Sequence, residues 1–157
     1  MTLRRRLAGL LTRTTRAADR AQAPDEPRAH YAPETDGDPD PGEVVWAWVS
    51  YEDDPSRGKD RPVLVLDTDG DGWTGLMLSS QDHDRDAADE ARHGRHWMDI
   101  GSGGWDPQRR PSEVRLDRLV HLERDAVRRE GAALDPRLFA EVVEAVRGLG
   151  RGLGDMP

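Results

Sequence analysis

Gly42-Glu43-Val44-Val45-Trp46-Ala47-Trp48-Val49 and, beyond a polar loop from Tyr51 to Asp60, Arg61-Pro62-Val63-Leu64-Val65-Leu66 decide the fold class. Both runs carry β-branched, aromatic or leucine side chains at successive positions, not only at alternate ones. A strand buried on both faces reads this way. Asp67-Thr68-Asp69-Gly70-Asp71-Gly72 is a turn, and Trp73-Thr74-Gly75-Leu76-Met77-Leu78 returns as a third strand. The aspartates imitate the start of a calcium loop, but Leu78 stands where the closing bidentate glutamate belongs. Working outward, Trp97-Met98-Asp99-Ile100 and Val114 to Val120 read as further strands, separated by a glycine-rich loop from Gly101 to Arg110. Residues 81–95 form an exposed, charge-rich excursion. Asp135-Pro136 supplies an N-cap with proline at the first helical position. Leu138, Phe139, Val142, Val143, Val146 and Leu149 then line one face of a closing helix. The expectation is a mainly β domain with a C-terminal helix, folded as a small, twisted SH3-like barrel. Trp46 and Trp48 are expected to fill it.

Composition narrows the function classes. The 157 residues are 34% charged and 35% hydrophobic, with mean hydropathy −0.84. That suits one small domain with extended polar segments. There is no cysteine, which excludes disulfides and thiolate metal sites. No apolar run is long enough to span a bilayer, and the apolar stretch after Arg4-Arg5-Arg6 is too short for a secretion signal, so a cytoplasmic location is expected. The net charge of −8 argues against a general nucleic-acid coat, although a local basic groove for a few nucleotides is compatible with it. Lys59 is the only lysine among 23 basic residues, a bias that looks like codon pressure and weakens arginine as a sign of phosphate binding.

Four segments follow. Residues 1–22 carry six arginines with Leu3, Leu7, Leu10 and Leu11 at helical spacing, which fits either a basic arm or a frayed extension. Residues 23–41 are rich in proline and acid and read as a disordered linker. Residues 42–150 are the folded domain, and 151–157 a disordered tail.

Five pieces stand in an ordered register: Gly42-Glu43-Val44-Val45-Trp46, Arg61-Pro62-Val63-Leu64-Val65-Leu66, Leu78-Ser79-Ser80-Gln81, Ser112-Glu113-Val114-Arg115-Leu116-Asp117, and the helix begun by Leu134-Asp135-Pro136. Across about two-thirds of the chain they resemble the PemK/MazF toxins of type II toxin–antitoxin systems. The resemblance implies an SH3-like barrel, usually a homodimer, that cuts single-stranded RNA without a metal or other cofactor and is held by a cognate antitoxin. It implies that Arg61 and Ser79 carry the cleavage. A guanidinium can give two parallel hydrogen bonds to a phosphate that is gaining charge, and a hydroxyl can position that phosphate or relay a proton. The bland reading has Arg61 paired with Asp53, Asp54 or Asp60, and Ser79-Ser80 capping a turn.

The departures from the family pattern also bear on function. Glu52-Asp53-Asp54-Pro55-Ser56-Arg57-Gly58-Lys59-Asp60 replaces a glycine-rich stretch and brings four acids near the expected site, partly offset by Arg57 and Lys59. Arg118 stands where glutamine is common and adds a phosphate contact. Ser80 is a second hydroxyl. His83 is a candidate acid or base against a solvated-loop alternative. His93 and His96 with Glu90 have a weak metal-like spacing, and no metal site is assigned. Trp105, with Arg109 and Arg110 behind it, is a candidate platform for base stacking, against the alternative that it packs onto the barrel or a dimer partner. A second class remains open: a non-catalytic barrel that grips nucleic acid or a partner protein.

Overall fold

A computed structural model describes Tyr31, Pro33 and residues 38–150. The proposed basic arm, most of the linker and the tail lie outside the described residues. Six strands run β1 (Glu43–Ser50), β2 (Gly58–Asp69), β3 (Gly72–Ser79), β4 (Trp97–Gly101), β5 (Ser112–Glu123) and β6 (Val127–Ala133). Helices α1 (Ala87–Arg92) and α2 (Pro136–Gly148) complete the fold. The sheet order is β4-β5-β3-β2-β1-β6, and every pairing is antiparallel. It curls into a half-barrel with β4 and β6 as its outer strands.

The doubly apolar strands are explained by two clusters on opposite faces. Val44, Leu64, Leu66, Leu76, Leu78, Val114 and Leu116 pack under α2, meeting Phe139, Val142, Val143 and Val146. Each of those helix side chains contributes roughly 1.5–3 kcal/mol by leaving water. Val45, Ala47, Val49, Val63, Val65, Trp73, Met77, Val120 and Leu122 fill the other face, where the sheet curls over itself. Asp135 caps α2 as expected, accepting from the N–H groups of Arg137 and Leu138 at 2.9 and 3.3 Å.

Strand β5 does not keep one register. Leu76 pairs with Leu119 but Leu78 pairs with Val114, so two residues of β3 span five of β5. The bulge reverses side-chain parity. Val114 and Leu116 face the α2 cluster, whereas Val120 and Leu122 join the other one. The extra residues gather Arg115, Asp117 and Arg118 at one bend.

Four sequence expectations change. Residues 81–95 contain a short helix, α1, and 127–133 form β6, an edge strand whose charges hid it. The packed unit also begins before Gly42: Pro39 and Pro41 are buried, and the Tyr31 ring packs on Phe139 with centroids 5.6 Å apart. Proline rings pack without an N–H to satisfy, so proline content alone did not forbid order there. Trp48 is 37% exposed and does not fill the barrel. Its ring lies over Gly58, where a Cβ would collide with it.

Candidate active site

Arg61 and Ser79 reach one place by strand pairing. Val63 pairs with Met77 and Leu64 with Leu76; two more residues in that register bring Arg61 level with Ser79, on the same face. Both line a depression of about 330 Å³, together with Lys59, Asp60, Ser80, Gln81, Asp106 and Arg110. Ser79 Oγ accepts the N–H of Gln81 at 3.1 Å, which orients the hydroxyl at the strand end.

Arg61 is half-buried and, among the described residues, has no carboxylate partner. Burial lowers its affinity for its proton, Tyr51 opposes that, and the Arg118 charge adds to it. The guanidinium stays charged at neutral pH all the same. Arg118 donates from Nη2 to the carbonyl oxygen of Ser50 at 2.9 Å. Two neighbouring guanidiniums repel each other unless an anion comes between them.

Three of the four acids expected to crowd the site have partners of their own. Glu52 meets Arg115 at 2.9 Å, Asp54 takes the Ser56 hydroxyl, and Asp60 lies 3.6 Å from Arg128. Asp106 is buried and held by Arg110 at 2.8 Å; that hydrogen bond outweighs burial and keeps its carboxyl below the usual range. The depression therefore has three cationic side chains, Lys59, Arg61 and Arg110, against two acids, each tied to an arginine. It is locally positive in an acidic chain.

The other candidates scatter. Trp105 is only 4% exposed; its Nε1–H donates to Ser112 Oγ at 3.1 Å and its carbonyl accepts from Trp46 Nε1 at 2.8 Å. A ring packed in the core offers no face to a base, so Trp105 follows the packing alternative and the stacking role falls away. Trp48 is the exposed aromatic, in a cavity of about 510 Å³ that Arg118, His121 and Arg128 also line. Arg57 lies over the Tyr51 ring, 5.9 Å from its centre. Arg109 is exposed, at φ 53°. Glu90 is taken by Arg95 and Trp97, so the metal-like spacing with His93 and His96 gathers no ligand set. Among the described residues no three such groups converge.

His83 is far from a solvated loop residue. Its Nδ1 lies 2.5 Å from Glu113 Oε2, its backbone N–H donates to the same oxygen at 3.0 Å, and its ring stacks on Trp97 at 3.8 Å. Glu113 is itself buried and is the cross-strand partner of Ser79. Sequence reasoning missed Glu113; its signal is the register with Ser79.

Against known proteins, the sequence model of PemK-like, MazF-like toxins of type II toxin–antitoxin systems matches residues 40–149. The chain belongs to the PemK/MazF family. Solved structures similar to this PemK/MazF chain include two bacterial examples. The Mycobacterium tuberculosis toxin MazF-mt6 is 16% identical, with 69% of this chain and 95% of that one covered and a TM-score of 0.46. A MazE–MazF structure from Deinococcus radiodurans is 18% identical, with 71% and 94% covered and a TM-score of 0.49. No curated protein sequence matches the chain. Among the described residues of this family member, no helix is long and apolar enough to cross a membrane.

Proposed function

We propose that this PemK/MazF chain is an endoribonuclease that cuts single-stranded RNA without a metal, as the toxin of a toxin–antitoxin pair. One observation carries the reading: a half-buried arginine with no described carboxylate partner shares a positive depression with the serine that the family pattern pairs with it. In the reaction, a ribose 2′-oxygen attacks the adjacent phosphorus, the P–O5′ bond breaks, and a 2′,3′-cyclic phosphate and a 5′-hydroxyl result. Arg61 donates two hydrogen bonds to the non-bridging oxygens as they gain charge. Arg118 adds a second positive charge, and the Ser79 hydroxyl, with Ser80 beside it, positions the phosphate. Lys59 and Arg110 hold the flanking backbone, and the strand continues past Arg118 to stack a base on Trp48.

The family relationship supports a homodimer in the cytoplasm and a cognate antitoxin, a pairing of the kind named in the MazE–MazF structure. An acidic antitoxin segment fits the same depression by charge.

The test is incubation of purified protein with mixed-sequence single-stranded RNA in a chelator, beside Arg61→Ala. The wild type is expected to create new ends, and the variant to cut about 10²–10³-fold more slowly, the usual cost of removing one preorganised charge donor. RNA retained but uncut by the wild type identifies a non-catalytic binding module. Equal cutting by Arg61→Ala removes Arg61 from the site.

A further inference from the structure

Cleavage by attack of a 2′-hydroxyl needs a group to take its proton, and neither a charged guanidinium nor a serine hydroxyl does this at neutral pH. We infer that His83, held by Glu113 and Trp97, is the general base of this site. The inference rests on the reading of the chain as an endoribonuclease.

Three contacts fix the imidazole: Nδ1 to Glu113 Oε2, the His83 backbone N–H to the same oxygen, and the indole of Trp97 beneath the ring at an interplanar angle of 3°. An ionised carboxylate only accepts hydrogen bonds, so the Nδ1 facing it carries the proton. The lone pair is then on Nε2, for which no described residue provides a hydrogen bond. A carboxylate behind one ring nitrogen fixes the tautomer and holds the ring in orientation. Glu113 is a positioning residue, and it links the imidazole to the site because it pairs directly with Ser79 across β3 and β5.

The proton of the 2′-hydroxyl passes to His83 Nε2 as the O2′–P bond forms. The P–O5′ bond breaks, the 5′-oxygen takes a proton from water, and the imidazolium returns its own to solvent before the next turnover. The ionisable groups around the ring are Glu113 from β5, Glu90 from α1 with its partner Arg95, and the adjacent Asp82. Arg95 pairs with Glu90, and Glu113 makes the direct contact with the ring.

The experiment measures RNA cleavage against pH for wild type, Arg61→Ala, His83→Ala, His83→Gln and Glu113→Gln. Binding of an oligomer with 2′-deoxyribose at the cut site is followed in parallel. Both His83 variants are expected to lose about 10²–10⁴-fold in cleavage while still binding the oligomer, with Gln as the variant that keeps a donor to Glu113 if Ala does not fold. Added imidazole should restore cleavage by His83→Ala in proportion to its free base, which a purely structural histidine would not allow. Glu113→Gln should lower kcat at unchanged KM, the split expected when a positioning contact for the base is lost. The inference alone is overturned if the wild type cuts, Arg61→Ala does not, and either His83 variant cuts at the wild-type rate or imidazole fails to rescue. If the wild type leaves RNA intact, the endoribonuclease reading falls and the inference with it.

Discussion

Arg115 and Asp117, two residues apart on β5 and both nearly inaccessible, face each other through a bidentate pair. Nη2 lies 2.8 Å from Oδ2, and Nε is 3.2 and 3.1 Å from the two oxygens. Alternation puts i and i+2 on one side of a strand, and the bulge between Val114 and Leu119, which contains both, tucks them under the bend. Asp117 also accepts the His96 N–H at 2.7 Å, and Arg115 reaches Glu52 at 2.9 Å. The pair thus fastens the Tyr51–Arg57 loop and the entry to β4, which flank the candidate site.

Asp117→Ala should therefore destabilise the fold by about 3–5 kcal/mol, because it leaves a buried guanidinium half-paired and a backbone N–H without its acceptor. The drop is read as a lower denaturation midpoint at unchanged slope. Replacing both partners, Arg115→Met with Asp117→Leu, should recover much of the loss, since neither desolvated charge remains. A single variant within about 0.5 kcal/mol of wild type, the range of ordinary surface changes, would show that the pair does not hold the bend.

Glu90 provides a pH-dependent anchor for the same region. Hydrogen bonds from Arg95 lower its carboxyl from 4.5 to about 2; burial opposes them, and the Trp97 indole N–H assists. A depressed carboxyl stabilises the fold above its unfolded value and loses that contribution as pH falls through the folded one. The stability gap between wild type and Glu90→Gln should be full above about pH 5 and close toward pH 2. Acid titrations of both proteins by circular dichroism check it. A gap that persists unchanged at pH 2 would contradict the assignment.

Much of this was legible in the residues, and what was not has physical reasons. The runs Val44–Val49 and Val63–Leu66 declared their burial because both faces are apolar, and Asp135-Pro136 declared the start of α2. Strand β6 was invisible because the charged run Val127-Arg128-Arg129-Glu130 carries no apolar pattern, and backbone pairing with β1 makes the strand. Register was equally hidden: Glu113 became meaningful only once it was found opposite Ser79. Trp48 left the barrel while Trp105 packed into the core, because local sequence does not say which aromatic has a partner for its indole N–H. Trp105 has Ser112. The acidic loop looked hostile to RNA as a count of charges, yet three of its four acids face partners of this chain.

Tyr31 tests where the folded unit begins. Its ring lies against Phe139 and occupies the space a Cβ on Gly42 would enter, at φ 101°, a conformation that favours glycine. A tilted aromatic pair is worth about 0.5–1.5 kcal/mol beyond the area it buries. Tyr31→Ala should lower stability by about 1–3 kcal/mol, and a chain beginning at Asp38 should lose about as much, because both remove the same ring. Gly42→Ala should destabilise the full-length protein through the collision with Tyr31 and the positive φ together. In a Tyr31→Ala background only the backbone strain remains, so the penalty there should be smaller. Thermal melts of the four proteins decide the matter: if the penalty of Gly42→Ala is the same in both backgrounds, the Tyr31 ring does not rest on Gly42 and the domain starts where the strands do.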